Sequence, residues 1–355
     1  MSIDVHQHLW TPSFLDALRR RSAPPRLDGW TLLLDGEPPY EVDPDDHDLA
    51  VRASRAAGLD LALVSLSSPL GIEHLPPDEA WPLIDAYHAG AAELPAPFRA
   101  WAAAPVTDID PARLSHTLDQ GFAGLQLPAT ALRDAAGFAV AAPLLDVLAE
   151  RGLPLFVHPG PAAVPSGSPA WWAAVVPYAQ QMHASWYAFQ AVGRPRHPDL
   201  KICFALLAGL APLHSERATN RGAPGRGRVD PGAFVETSSY GSRAIDAVIR
   251  ELGIDVVVNG SDQPYAEAPS LDFGDAARHA IGHANAVRLL QARSHHRPSP
   301  SPEPSPSPSP SPSRTTSQQL RTSQPYSETQ PYSETQPHTT TRAHPHTPSR
   351  KEPQS

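Results

Sequence analysis

Eight short apolar runs, each followed by a longer amphipathic or alanine-rich stretch, set the strongest limit on what this chain can fold into. The runs lie at residues 3–5, 61–66, 100–106, 123–127, 154–157, 202–207, 233–235 and 256–258. The stretches after them cover 13–21, 45–57, 78–93, 111–120, 140–151, 171–193, 211–220 and 242–252. Runs this short and apolar suit strands buried on both faces, and the segments between them have helical length. Gly58, Gly152 and Gly253 mark joins between the two kinds. Eight strand-then-helix pairs, closed by a helix at 275–291, predict an α/β fold of the (β/α)8 TIM-barrel type. A doubly wound sheet uses the same alternation. The barrel is preferred because polar residues gather at the carboxyl ends of several different runs, where a barrel builds its active site. The Pro-rich stretch 23–44 reads as an insertion after the first strand, a hairpin over the barrel mouth.

Composition divides the chain in two. Residues 294–355 alternate Ser and Pro, repeat the hexapeptide Gln-Pro-Tyr-Ser-Glu-Thr from Gln324 and from Gln330, and hold Leu320 as their one large aliphatic residue. Such a segment buries too little apolar surface to offset its ordering entropy, so a disordered tail is expected there and a folded unit over 1–293. A net charge of −9 argues against a nucleic-acid surface. The single cysteine, Cys203, sits in an apolar run and reads as a buried, inert thiol. No apolar run approaches the roughly 18 residues of a membrane span, and a cytoplasmic protein acting on a small molecule is expected, with self-association left open. There is no Gly-x-Ser-x-Gly elbow, no Walker A loop and no Gly-x-Gly-x-x-Gly after a strand, so serine-hydrolase and nucleotide-dependent chemistry lack support.

The candidate chemistry lies at three strand ends. The first run leads into Asp4-Val-His6-Gln-His8, and side chains two apart on a strand share a face, so both imidazoles point one way and Gln7 the other. The fifth ends Leu-Phe-Val-His158-Pro-Gly, and the eighth Val-Asn-Gly-Ser-Asp262-Gln-Pro. Each feature alone also fits a packed histidine or a turn cap; together they bring imidazole and carboxylate donors over one mouth, as a divalent ion requires.

In order, these motifs resemble the amidohydrolase superfamily, closest to its amidohydrolase-related branch with aminocarboxymuconate-semialdehyde decarboxylase and similar lactonases and decarboxylases. The resemblance covers nearly all of residues 1–293. It implies a distorted (β/α)8 barrel with one divalent ion, zinc first and manganese as the alternative, held by His6, His8, His158 and Asp262. One departure stands out. The branch's sixth strand ends in a His followed by a Gly pair, whereas this chain has Leu206 at the His position and reads Leu206-Leu-Ala-Gly209-Leu-Ala-Pro212. Leucine neither ligates a metal nor transfers a proton. Gln126 stands where binuclear members carry a bridging ligand, and a neutral amide cannot bridge two cations, which favours one ion.

Softer candidates complete the set. Glu236 or Thr237 ends the seventh strand and can hydrogen-bond a ligating His. Arg217 is a candidate clamp for a carboxylate, and His183 and His214 are candidate replacements for the missing acid. Trp171, Trp172 and Trp186 read as packing or as a pocket wall. The first expectation is a mononuclear hydrolase of a lactone, ester or amide, with Asp262 taking and returning the proton. The alternatives are a non-oxidative decarboxylase and a barrel that binds metal without catalysis.

Overall fold

The computed structural model describes residues 2–223 and 229–292; the tail expected at 294–355 lies outside the described residues. Eight strands are labelled here in barrel order. They are β1 (Ile3–His8), β2 (Leu61–Ser65), β3 (Phe98–Ala100 continuing as Ala102–Ala103), β4 (Leu125–Pro128), β5 (Leu155–His158), β6 (Ile202–Phe204), β7 (Ala233–Glu236) and β8 (Val257–Val258). Neighbours pair in parallel from β1 to β2 to the first half of β3, and from its second half through β4, β5, β6 and β7 to β8. Two backbone bonds carry the sheet across Trp101 inside β3: Trp101 N–H donates to Val64 and Ala102 N–H to Gly124. The ring closes between β8 and β1, where Val5 N–H donates to Asn259 at 3.0 Å and Asp262 N–H to His6 at 2.8 Å. This is the eightfold barrel expected from the alternation.

The barrel interior is filled rather than hollow. Trp101 and Phe156 stack with centroids 5.2 Å apart, and the Trp101 indole N–H donates to the Val5 carbonyl at 2.9 Å. Outside, helices start where their sequences supply caps: Asp110 accepts from Arg113 N–H and Asp134 from Gly137 N–H, each at 2.9 Å. The helix Ala135–Arg151 stops at Gly152, whose φ of 65° an L side chain resists. The insertion is a three-stranded antiparallel sheet, Arg26–Asp28, Thr31–Leu33 and Tyr40–Glu41, one strand more than the expected hairpin.

The largest local difference from expectation follows β6. The helix expected over 211–220 shrinks to Ser215–Thr219, because the chain first makes a left-handed turn. Leu206, Leu207, Ala208, Gly209 and Leu210 all have φ between 48° and 61°. Only Gly209 takes this conformation without a Cβ penalty, and a Cβ there would lie 2.5 Å from the Ala179 carbonyl oxygen. Left-handed backbone costs an L residue roughly 1–2 kcal/mol, so burial of Leu206, Leu207 and Ala208 must outweigh the strain.

A second local cost lies in the wall behind β2. Glu73 is fully buried, and burial pushes its carboxyl from 4.5 up to about 7 although Ser68 Oγ donates to it. A carboxyl raised by folding holds its proton more tightly in the folded chain. Stability therefore falls as pH rises from about 4.5 to about 7 and is level above that. Two stability measurements follow. Ala208→Gly should stabilise the chain by about 0.5–1 kcal/mol, relief of strain exceeding the added chain entropy of glycine; a loss in denaturant melts would mean that the Ala208 methyl matters more than its backbone. Glu73→Gln should raise stability at pH 8 by up to about 3 kcal/mol and leave it near parental at pH 4.5, read from melts at both pH values.

Candidate metal centre

The first strand delivers both imidazoles to the barrel axis. His6 Nε2 and His8 Nε2 lie 3.1 Å apart, and the Asp262 carboxylate reaches in from beyond β8, 3.4 Å from His6 Nε2 and 3.2 Å from His8 Nε2. His158, at the end of β5, closes the group, with ring centroids 4.8 Å from His6 and 5.0 Å from His8. One ligand atom from each of the four residues lies within 4.8 Å of every other. The three histidines are buried, and only Asp262 is partly open, its side chain 18% exposed. The site therefore meets solvent on the Asp262 side.

The far nitrogen of each ring is already spoken for. His6 Nδ1 faces the Glu236 carboxylate at 3.1 Å, His8 Nδ1 the Ser65 carbonyl at 3.1 Å, and His158 Nδ1 the Pro159 carbonyl at 2.8 Å. Those acceptors place a proton on each Nδ1 and leave Nε2 with a lone pair facing the centre. Lone pairs 3.1 Å apart repel unless a cation sits between them, and three imidazoles with a carboxylate exceed what a proton needs. Donors about 2.0–2.1 Å from a tetrahedral ion stand roughly 3.3 Å apart, close to the 3.1–3.4 Å found among His6, His8 and Asp262. The donor set fits a divalent ion.

Electrostatics agree with that arrangement. Burial and the neighbouring His6 and His8 hold His158 well below the usual imidazole range, and burial foremost lowers His8. For His6, burial is outweighed by the Asp262 and Glu236 carboxylates, which together raise it. The position in the group that best accommodates positive charge is thus the one flanked by two acids.

Glu236 is the seventh-strand residue that meets a histidine; Thr237 instead pairs with Gly260. Its carboxylate, fully buried, also accepts from Leu206 N–H at 2.8 Å and from Ser238 N–H and Oγ, each at 2.7 Å. Gly260 makes room for it: a Cβ there would lie 2.1 Å from Glu236 Oε2 and 3.1 Å from the His6 Cβ. Asp262 takes a left-handed φ of 62°, which Asp tolerates better than most residues. The left-handed turn at Leu206 therefore joins the site through a backbone N–H rather than through a side chain.

The other candidates are not drawn in. His183 and His214 meet each other, centroids 4.9 Å apart, and no hydrogen bond or ion pair among the described residues links either to the four donors. Arg217 is exposed on the short helix Ser215–Thr219. Gln126 is buried, and its amide bonds Leu66 and Ser68 instead of a ligand. Trp186 is packed against Phe204, while Trp171 is 56% exposed. Sequence reasoning missed Arg52, a fully buried guanidinium that donates to the His8 and Asp46 carbonyls and to Gln7 Oε1. It also missed Asp4, which accepts from the backbone of His6 and Ser261 and from Gln7 Nε2. The Asp4 signal was present in the same strand as the candidate ligands; nothing local marks Arg52, whose partners His8 and Gln7 are distant in sequence.

No family model matches the chain, and no curated protein matches it at a significant level. Solved structures do. The 2,6-dihydroxybenzoate decarboxylase of Rhizobium is 21% identical, covering 81% of this chain and 98% of its own, with a TM-score of 0.59. The 5-carboxyvanillate decarboxylase of Novosphingobium aromaticivorans, solved with manganese and 4-hydroxy-3-methoxy-5-nitrobenzoic acid, is 17% identical, covering 82% and 96% at 0.59. A protein described as amidohydrolase II is 19% identical, covering 82% and 99% at 0.61. The fold of this chain is therefore the TIM barrel found in decarboxylases and amidohydrolase II proteins. Among the described residues no helix is long and apolar enough to cross a membrane.

If Gly260 exists to admit Glu236, Gly260→Ala should displace the carboxylate and release His6 Nδ1. The variant should lose about 10–100-fold in affinity for zinc or manganese, measured by chelator competition, with its circular dichroism retained. Parental affinity would show that Glu236 does not orient the ligand.

Proposed function

We propose that this chain is a mononuclear metal-dependent carbon–carbon lyase that decarboxylates a small carboxylic acid without oxidation. The observation that carries the reading is the four-donor group with Asp262 as its one solvent-reachable member. The decarboxylases that share the barrel support the direction of the chemistry. It also revises the first expectation from the sequence, which put hydrolysis ahead. Zinc and manganese are both suited to three imidazoles and a carboxylate, and the manganese-bound neighbour supports the second as much as ligand type supports the first. The ion would be held by His6, His8, His158 and Asp262 and would supply Lewis-acid polarisation of a bound oxygen.

The chain's own residues then divide the work. His6, His8 and His158 have their outer nitrogens engaged and serve as fixed donors. Loss of a carboxyl group leaves a carbon that must receive a proton, and Asp262 is the only acid of the group placed to hold one. Arg52, the one buried arginine among the described residues, is committed to the His8 and Asp46 carbonyls and so does not clamp the departing carboxylate.

Hydrolysis of a lactone, ester or amide is the second reading, favoured by Leu206. It asks for one proton carrier, Asp262, to take a proton from water and return it to the leaving group, and it needs nothing from the sixth strand. A panel of aromatic acids, lactones and amides assayed on metal-loaded protein, with CO2 measured alongside hydrolysis, separates the two. Release of CO2 is expected; turnover of lactones or amides alone would overturn the lyase reading, and silence on every class would point to a barrel that binds without catalysis. Asp262→Asn, fully metal-loaded, should lose about 10²–10⁴-fold in turnover. Near-parental turnover would mean that the proton moves through another group.

A further inference from the structure

Gln126 is out of place in the interior of this barrel. It is fully buried on β4, in register with Phe156, which packs against Trp101 and His6. Its Nε2 donates to the Leu66 carbonyl and to Ser68 Oγ, both at 2.7 Å. Its Oε1 has no partner. The amide cannot simply be turned round, since that would set its oxygen against the Leu66 carbonyl. Ser68 Oγ donates onward to Glu73 Oε1, so it can only accept from Gln126. A buried amide oxygen without a partner is unfavourable. What offsets that cost is the pair of bonds made by its N–H groups.

What they hold is the segment after β2, and the other side of that segment holds His8. The Ser65 carbonyl lies 3.1 Å and Ser67 Oγ 3.3 Å from His8 Nδ1, and the Trp10 indole N–H donates to the same Ser67 hydroxyl at 2.9 Å. Along four consecutive residues the polar groups alternate: 65 and 67 face the imidazole, 66 and 68 face Gln126. We propose that Gln126 is a positioning residue for the metal centre, clamping residues 65–68 so that the Ser65 carbonyl fixes the tautomer and tilt of His8, with Ser68 and Glu73 completing the clamp. The proposal rests on the metal-centre reading but not on whether the reaction is decarboxylation or hydrolysis.

The test is a double-mutant cycle on metal affinity in the full-length chain, using zinc and manganese with chelator competition. Gln126→Met keeps the length of the side chain and removes both the donors and the unpartnered oxygen. It should melt at or above the parental temperature while losing about 10–100-fold in affinity. Ser68→Ala should lower affinity in the same direction by less. In a His8→Ala background, where there is no ring left to position, Gln126→Met should cause no further loss. The visible spectrum of the cobalt-loaded Gln126→Met chain should shift, because one imidazole has changed its approach. Equal losses with and without His8, or a fall in melting temperature with affinity unchanged, would overturn the positioning role and leave the metal centre standing. Failure of the parental chain to bind either ion stoichiometrically would overturn the centre, and this inference with it.

Discussion

The buried polar lattice at the seam between β1 and β8 is the constraint on which the site depends. A barrel closes where its last strand meets its first, and here β1 carries two of the candidate donors and the loop after β8 carries Asp262. Arg52 donates to the His8 carbonyl at 2.6 Å and to Gln7 Oε1 at 2.7 Å; Gln7 passes the connection to Asp4, and Asp4 accepts from the backbone of His6 and Ser261. A guanidinium so deeply buried is tolerable only when its donors are met, and here carbonyls and an amide meet most of them. The same bonds that close the ring therefore fix the spacing between the His6–His8 pair and Asp262.

Candidate donors from β1, β5 and the loop after β8 then converge without help from the helices. Their outer nitrogens are tied to three different places: a carboxylate on β7, a carbonyl at the end of β2 and the carbonyl just after His158 itself. The centre is consequently distributed around the barrel wall, and its geometry reports on the register of the whole sheet. A change in any one of these anchors would alter the approach of one donor while leaving the other donors in place.

The barrel and its four donors were legible because both follow from local rules. Strand length and apolar runs mark the sheet, and the His-x-His spacing on a pleated strand dictates a shared face. Glu236 was legible as an acid ending the seventh strand, though only the structure distinguishes it from Thr237. What escaped was set by contacts remote in sequence. Arg52 looks like any amphipathic helix residue until His8 and Gln263 are seen beside it. The left-handed path at 206–210 escaped for a different reason: four of its five residues have a Cβ, and local preference argues against that conformation at each of them. Tertiary contacts decide it there, through Glu236 on one side and the close approach of Ala179 on the other.

That turn also bears on how readily the chain could change its chemistry. Its backbone is held by the Leu206 N–H, by the absence of a side chain at Gly209 and by burial of the Leu206 side chain, and only the last of these depends on what residue 206 carries beyond its Cα. The scaffold and the side chain at this position are thus only partly coupled. An imidazole introduced at 206 would take a backbone seat already tethered to Glu236, at the cost of the buried apolar surface that the leucine supplies.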